Sequence, residues 1–113
     1  MNEDFIKKVY EKIVDEGISI YRDLFDNTKN NNEIINYWQQ ALTFYHLLND
    51  ENKEVFFSIL KQTMIDTISG IFSVMDGTCT LDGDDYEVSV AINGISTDNC
   101  LQDDFLAFVE ENQ

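Results

Sequence analysis

The sequence predicts a small α+β fold: three N-terminal helices packed on a C-terminal antiparallel β-hairpin or short meander with a closing helix, all within one domain over residues 1–113. Three observations carry that prediction. Apolar residues recur every three or four positions as far as Ser73, the period changes to two after Gly77, and a helix-start pattern returns at Asn99. The chain is 43% apolar and 12% aromatic over 113 residues, enough for one core without disulfides or metal. There is no proline, internal repeat or low-complexity run to mark a domain boundary.

Ile6, Val9, Ile13, Ile20 and Leu24 form the stripe of an amphipathic helix from about Glu3 to Asp26, which Gly17 is expected to weaken midway. The run Asn27-Thr28-Lys29-Asn30-Asn31-Asn32 supplies side chains that hydrogen-bond their own backbone, so it predicts a loop. A second helix follows with the stripe Ile34, Trp38, Ala41, Tyr45 and Leu48, ended by Asn49-Asp50, which also offers an N-cap for the next. The third, from about Glu51 to Ser73, is apolar over most of its circumference, with a narrow polar stripe at Ser58, Gln62, Asp66, Ser69 and Ser73. It is expected at the centre of the fold, packed on several sides.

Thr78 to Leu81 and Asp84 to Ile92 then read as strands, with Tyr86, Val88, Val90 and Ile92 on one face. Asp82-Gly83 between them is a two-residue hairpin signal. Asn93-Gly94 repeats it, allowing a short strand at Ile95 to Thr97. Asn99 is placed to cap a last helix whose third position is Gln102, with Asp103 and Asp104 in the first turn and Phe105, Phe108 and Val109 buried.

Charge is distributed unevenly. All seven Lys and Arg lie within residues 1–61; the eleven acids there leave a net −4, and eleven acids with no base leave −11 on the last 52 residues. A net charge of −15 repels phosphate backbones and anionic membranes, so no direct nucleic-acid or membrane binding is expected. The N-terminal residues have no apolar stretch of signal-peptide length, no later stretch approaches 18 apolar residues, and two cysteines are too few for a secreted scaffold. These features predict a cytoplasmic chain with reduced thiols.

The candidate binding surface is the acidic set Asp82, Asp84, Asp85, Glu87, Asp98, Asp103, Asp104, Glu110 and Glu111. It can meet a basic protein or stand in for nucleic-acid phosphates; the plain alternative is a solvated face. Tyr37 and Phe44, off the apolar stripe of the second helix and seven residues apart, are candidate interface aromatics in either a monomer or a homodimer. Chemistry is not indicated. Asp76 and Glu87 match positions 1 and 12 of a calcium loop, but Thr78, Thr80 and Leu81 occupy positions 3, 5 and 6. His46 has no partners at ligand spacing, and Asp84 and Asp85 are expected on opposite strand faces. Cys79 reads as core. Cys100 sits at a helix start, where three nearby aspartates disfavour its thiolate. Neither an enzyme, nor a cofactor, nor a metal is expected.

The segments Met64-Ile65-Asp66-Thr67-Ile68-Ser69-Gly70, Met75-Asp76-Gly77 and Leu101-Gln102-Asp103-Asp104-Phe105-Leu106 give the second half a resemblance to small uncharacterised acidic bacterial proteins. In size, charge and lack of catalytic motif the whole chain is similar to the immunity proteins encoded beside bacterial toxins, a similarity of class rather than of motif. It implies a non-enzymatic inhibitor whose acidic surface blocks a basic toxin domain. The competing expectations are a scaffold that self-associates through the second helix, and an acidic nucleic-acid mimic.

Overall fold

The computed structural model describes residues 2–31, 33–82 and 86–113. The chain opens with one continuous helical rod, composed of α1 (Glu3–Val9), a π-helical segment (Tyr10–Asp15) and α2 (Glu16–Asn27). It continues through α3 (Asn36–His46), α4 (Asp50–Met75), β1 (Ala91–Ile92), β2 (Ile95–Ser96) and α5 (Leu101–Glu111). This is the expected α+β arrangement of helices, a C-terminal antiparallel hairpin and a closing helix.

The rod buries a different stripe from the one its sequence suggests. Ile6, Tyr10, Val14 and Phe25 are buried, whereas Ile13 and Ile20 remain about half exposed, at 48% and 54%. In the π segment the backbone bonds reach one residue further than in an α-helix, so each turn widens and residues four apart fall on one line. Ile6, Tyr10 and Val14 therefore align, and the buried face shifts off Ile13. Gly17 does not break the rod. It lies against Met64 of α4, and a Cβ there would stand at an ordinary contact distance, 3.4 Å, from the Met64 methyl carbon.

Two apolar clusters form along α4, whose 26 residues run for about 39 Å at 1.5 Å each. In one, Ile65, Ile68 and Phe72 meet Ile6, Tyr10 and Val14 of the rod and Leu101, Phe105 and Val109 of α5. In the other, Phe57 meets Phe25, Leu42 and Tyr45, with Ile34, Trp38, Ala41 and Leu48 packed around them as the α3 stripe predicts. So α4 is a central spine shared by two clusters, as expected from its apolar circumference, but part of its surface stays open: Val55, Ile59 and Ile71 are more than half exposed. A chain of 113 residues has too few other elements to surround a helix this long. By length and composition alone α4 is also long enough and apolar enough to cross a membrane, which its broken-up apolar runs do not suggest in the sequence.

The second cluster carries a polar contact. The Tyr45 hydroxyl donates to Asp26 Oδ1 at the end of α2. Lys53 lies 4.8 Å above the Tyr45 ring and Arg22 lies 4.3 Å above that of Phe57. Burial, and then the hydrogen bond to the Asp26 carboxylate, push the Tyr45 hydroxyl up to about 12.

At the start of α4, Asn49 caps as predicted, its Oδ1 accepting from the Asn52 N–H at 2.8 Å. After α4 the predicted meander contracts. Neither Thr78–Leu81 nor residues 86–90 pair as strands, Cys79 and Leu81 are exposed, and the Asp82-Gly83 turn falls partly outside the described residues. The second hairpin signal folds. Asn93 (φ 53°) and Gly94 (φ 82°) take the paired positive φ of a type I′ turn, joining Ala91 to Ser96 and Ile92 to Ile95. Thr97 locks the hairpin base, its N–H and Oγ1 both donating to the Val90 carbonyl at 3.0 and 3.1 Å.

Asn99 does not cap α5. It sits at φ 55°, and Cys100 takes the cap position without a side-chain bond. The cap comes from a distance of 25 residues: buried Asp76, just past α4, accepts the Leu101 N–H on Oδ1 (3.0 Å) and the Gln102 N–H on Oδ2 (2.8 Å). Gln102 then reaches Ser69 Oγ at 3.1 Å, and Asn2 Nδ2 donates both to the Thr97 carbonyl (3.2 Å) and to Asp104 Oδ2 (2.8 Å). Leu101, Phe105 and Val109 form the buried side of α5.

Replacing Asp76 by Ala strands two N–H donors, one buried and one partly buried, at the positive end of a helix, and we expect a loss of about 2–3 kcal/mol in urea unfolding with the slope unchanged; Asp76→Asn, which keeps one acceptor, loses less. Tyr45 gives a second expectation. Its neutral form is favoured in the folded chain, so its share of the stability is complete below about pH 10, the ordinary tyrosine value, and is lost as pH rises towards about 12. Ultraviolet titration will show a late phenol that is absent in Tyr45→Phe.

Candidate functional site

Helix α5 concentrates acid on its solvent side. Asp103, Asp104, Glu110 and Glu111 stand at positions i, i+1, i+7 and i+8, and at 3.6 residues per turn all four fall within an arc of roughly 120°. Leu101, Phe105 and Val109 occupy the opposite side, held in the first cluster, so docking of that side turns the acids outward. Ala107 lies at the middle of the arc and keeps it free of bulky side chains.

This arc meets the first turn of α1. Asp104 and Glu111 line a cleft of about 470 Å³ with Glu3, Asp4, Lys7 and Phe108. Glu3 and Asp4 lie where the helix dipole favours anions, and they belong to the anionic face although the N-terminal half holds every cation. Their place beside α5 comes from the α1–α5 packing, for which no local sequence signal exists. Asp104 has a structural part as well, since its Oδ2 is held by Asn2.

The lysines do not neutralise the α5 acids. Among the described residues, the ion pairs are Lys7–Glu11 (3.9 Å), Lys8–Asp4 (3.3 Å), Lys12–Glu16 (2.8 Å) and Arg22–Glu54 (2.8 Å), all within the N-terminal half. Three are i,i+4 pairs on the rod, where helical spacing already satisfies each lysine. Of the face, Asp4 is matched in this way.

The remaining predicted acids do not all join the face. Glu87 lines a separate cleft of about 440 Å³ with Asp76, Tyr86 and Asn99, and Asp98 precedes Asn99 in a left-handed turn at φ 57°. Asp82 is exposed but lines neither cleft. Asp84 and Asp85 lie outside the described residues. The structure therefore gathers four of the nine predicted acids on α5 and adds Glu3 and Asp4, which the charge count along the chain does not single out.

Tyr37 and Phe44 are brought together as their spacing implies. They are 63% and 55% exposed and line one groove of about 280 Å³ with Tyr21, Phe25, Leu60 and Met64. Among the described residues no group of three His, Cys, Asp or Glu is placed to hold a metal ion. Asp76, first position of the calcium-loop pattern, is buried and occupied by the α5 backbone. His46 is exposed in the last turn of α3.

The cysteines exchange their expected surroundings only in part. Cys79 is exposed rather than core, because the strand that would have turned it inward does not form. Cys100 is half-buried, with its Sγ 3.1 Å from the Asp98 carbonyl. Burial first, then the carboxylates of Asp104, Asp103 and Asp98, push its thiol up. Near neutral pH, a disulfide reagent will modify Cys79 faster than Cys100, and Cys79→Ser will abolish the fast phase; a fast phase surviving in that variant contradicts this assignment. Comparison of the chain with protein-family models, with curated proteins and with solved structures finds no match.

Proposed function

We propose that this chain is a non-enzymatic cytoplasmic inhibitor of the immunity type, which occludes a basic protein such as a nuclease toxin with the anionic face of α5 and the start of α1. The observation that carries this reading is the outward acidic arc of α5, unpaired with any cation among the described residues' ion pairs. Asp103 to Glu111 spans about 12 Å of helix axis and carries its four carboxylates as two adjacent pairs, one at each end, about 9 Å apart along the axis. The face is also preorganised: α5 is held by Asp76 at its start and by Phe105 and Val109 beneath, so little ordering is left to the moment of binding.

Charge of one sign on one face accelerates encounter with a basic partner by roughly 10- to 1000-fold, an effect that salt removes. The test uses the partner purified from the native cell with the chain. Asp103→Asn, Glu110→Gln and Glu111→Gln are combined, and Asp104 is retained because it holds Asn2. We expect the association rate at low salt to fall about tenfold or more, and the difference to shrink at high salt. Equal rates and affinities for the two proteins at low salt would remove the proposal.

A further inference from the structure

The far end of the spine carries a surface of the opposite character. Around the groove between α2, α3 and α4, Tyr21, Tyr37 and Phe44 are 37%, 63% and 55% exposed, and Ile20, Leu24 and Ile59 are 54%, 36% and 59% exposed. Helical spacing makes the patch continuous. On the rod Leu24 lies one turn from Tyr21 and Ile20 one turn from Leu24, Tyr37 and Phe44 share a side of α3, and Ile59 lies one turn from Phe56, whose ring is 6.1 Å from that of Phe44. The exposure of Ile20 and Leu24 follows from the π segment, which turns the other side of the rod into the core.

We infer that the chain forms a two-fold homodimer through this groove. At ~200 Å² per aromatic residue, the three exposed rings leave about 300 Å² in water, and the three aliphatic side chains roughly as much again. That is about 600 Å² of apolar surface per copy, at the top of the range for the largest patch on a monomer. A stable interface of standard size buries about 800 Å² per partner, of which some 60% is apolar, so the patch supplies the apolar share of one dimer interface.

Charge opposes a second copy less at this end than at the other. Residues 16–61, which build it, hold Arg22, Lys29, Lys53 and Lys61 against seven acids, a net −3, while the half bearing −11 includes α5, packed at the other cluster. Arg22 and Glu54 already pair at 2.8 Å and bring no net charge to the contact. A two-fold axis also suits the shape, because the same patch offers a ridge, Tyr37 with Phe44, beside a groove that can receive it from the partner. The groove, at about 280 Å³, lies below the usual volume of small-molecule sites, and the polar groups on the side chains lining it are the hydroxyls of Tyr21, Tyr37 and Thr63. This dimer leaves the α5 face free and does not depend on the inhibitor reading.

Sedimentation equilibrium of the full chain, from micromolar to hundreds of micromolar, tests the inference. The expected result is a mass approaching twice 13.1 kDa as concentration rises. Phe44→Glu and Ile59→Glu, on two different helices and both at exposed sites, should each weaken the dimer at least about tenfold while circular dichroism and the thermal midpoint confirm a folded chain. Should Phe44→Glu fail to fold, Tyr37→Ser takes its place. A single-chain mass at every concentration overturns the dimer, as does a dimer indifferent to both substitutions. A chain that stays monomeric but floats with zwitterionic phosphatidylcholine vesicles overturns it in favour of a bilayer. The Asp103, Glu110 and Glu111 variant should dimerise as the parent does; loss of the dimer in that variant places the contact on α5 and also overturns the inference.

Discussion

The carboxylate of Asp76 is the contact on which the C-terminal half depends. It receives two backbone N–H groups of α5 while buried, satisfying donors that have no partner inside the helix and placing negative charge at the positive end of the dipole. The bond ties the end of α4 to the start of α5 across the long segment between them. With the start of α5 fixed, Leu101, Phe105 and Val109 drop into the first cluster, and the acidic arc is left facing water. Asn2 makes the second tie, joining the first residues of the rod to Thr97 and Asp104. Chain start, hairpin base and last helix are thereby fastened at one place.

α4 divides the molecule into two ends with different surface chemistry. The end built from α1 and α5 is anionic, because lysines on the rod take partners one turn away and leave the α5 carboxylates alone. The end built from α2 and α3 is aromatic, with Phe25 at its centre and rings of Trp38, Tyr45, Phe56 and Phe57 within 6.3 Å of it. Edge-on and tilted ring pairs favour such a cluster beyond the area they bury. The proposed inhibitory face and the proposed dimer contact lie at these opposite ends, so one chain can use both at once.

Much of the local structure was legible in the residues because short-range interactions decide it. The α3 stripe, the Asn49 cap and the Asn93-Gly94 turn all involve residues a few positions apart, and each folds as its pattern predicts. The rod failed in phase rather than in kind. Its helical character was plain, but the π segment shifts its buried face, and that shift follows from fitting Tyr10 and Val14 against α4 and α5. The meander failed for a related reason: alternation from Tyr86 to Ile92 describes a strand that can pair, and pairing needs a partner that the described residues 78–82 do not supply.

What the sequence determined by itself is the inventory: helical segments, two hairpin-turn signals, a cation-free half and acids at i, i+1, i+7 and i+8 near the end. What only the tertiary structure decided is the company these residues keep. Asp76 became the cap of a helix that starts 25 residues later, Glu3 and Asp4 joined acids a hundred residues away, and Ile13 was turned to water while Val14 was buried. Periodicity and capping are set by neighbours along the chain, whereas these outcomes depend on which helix faces which, and that is chosen by the packing of all of them together.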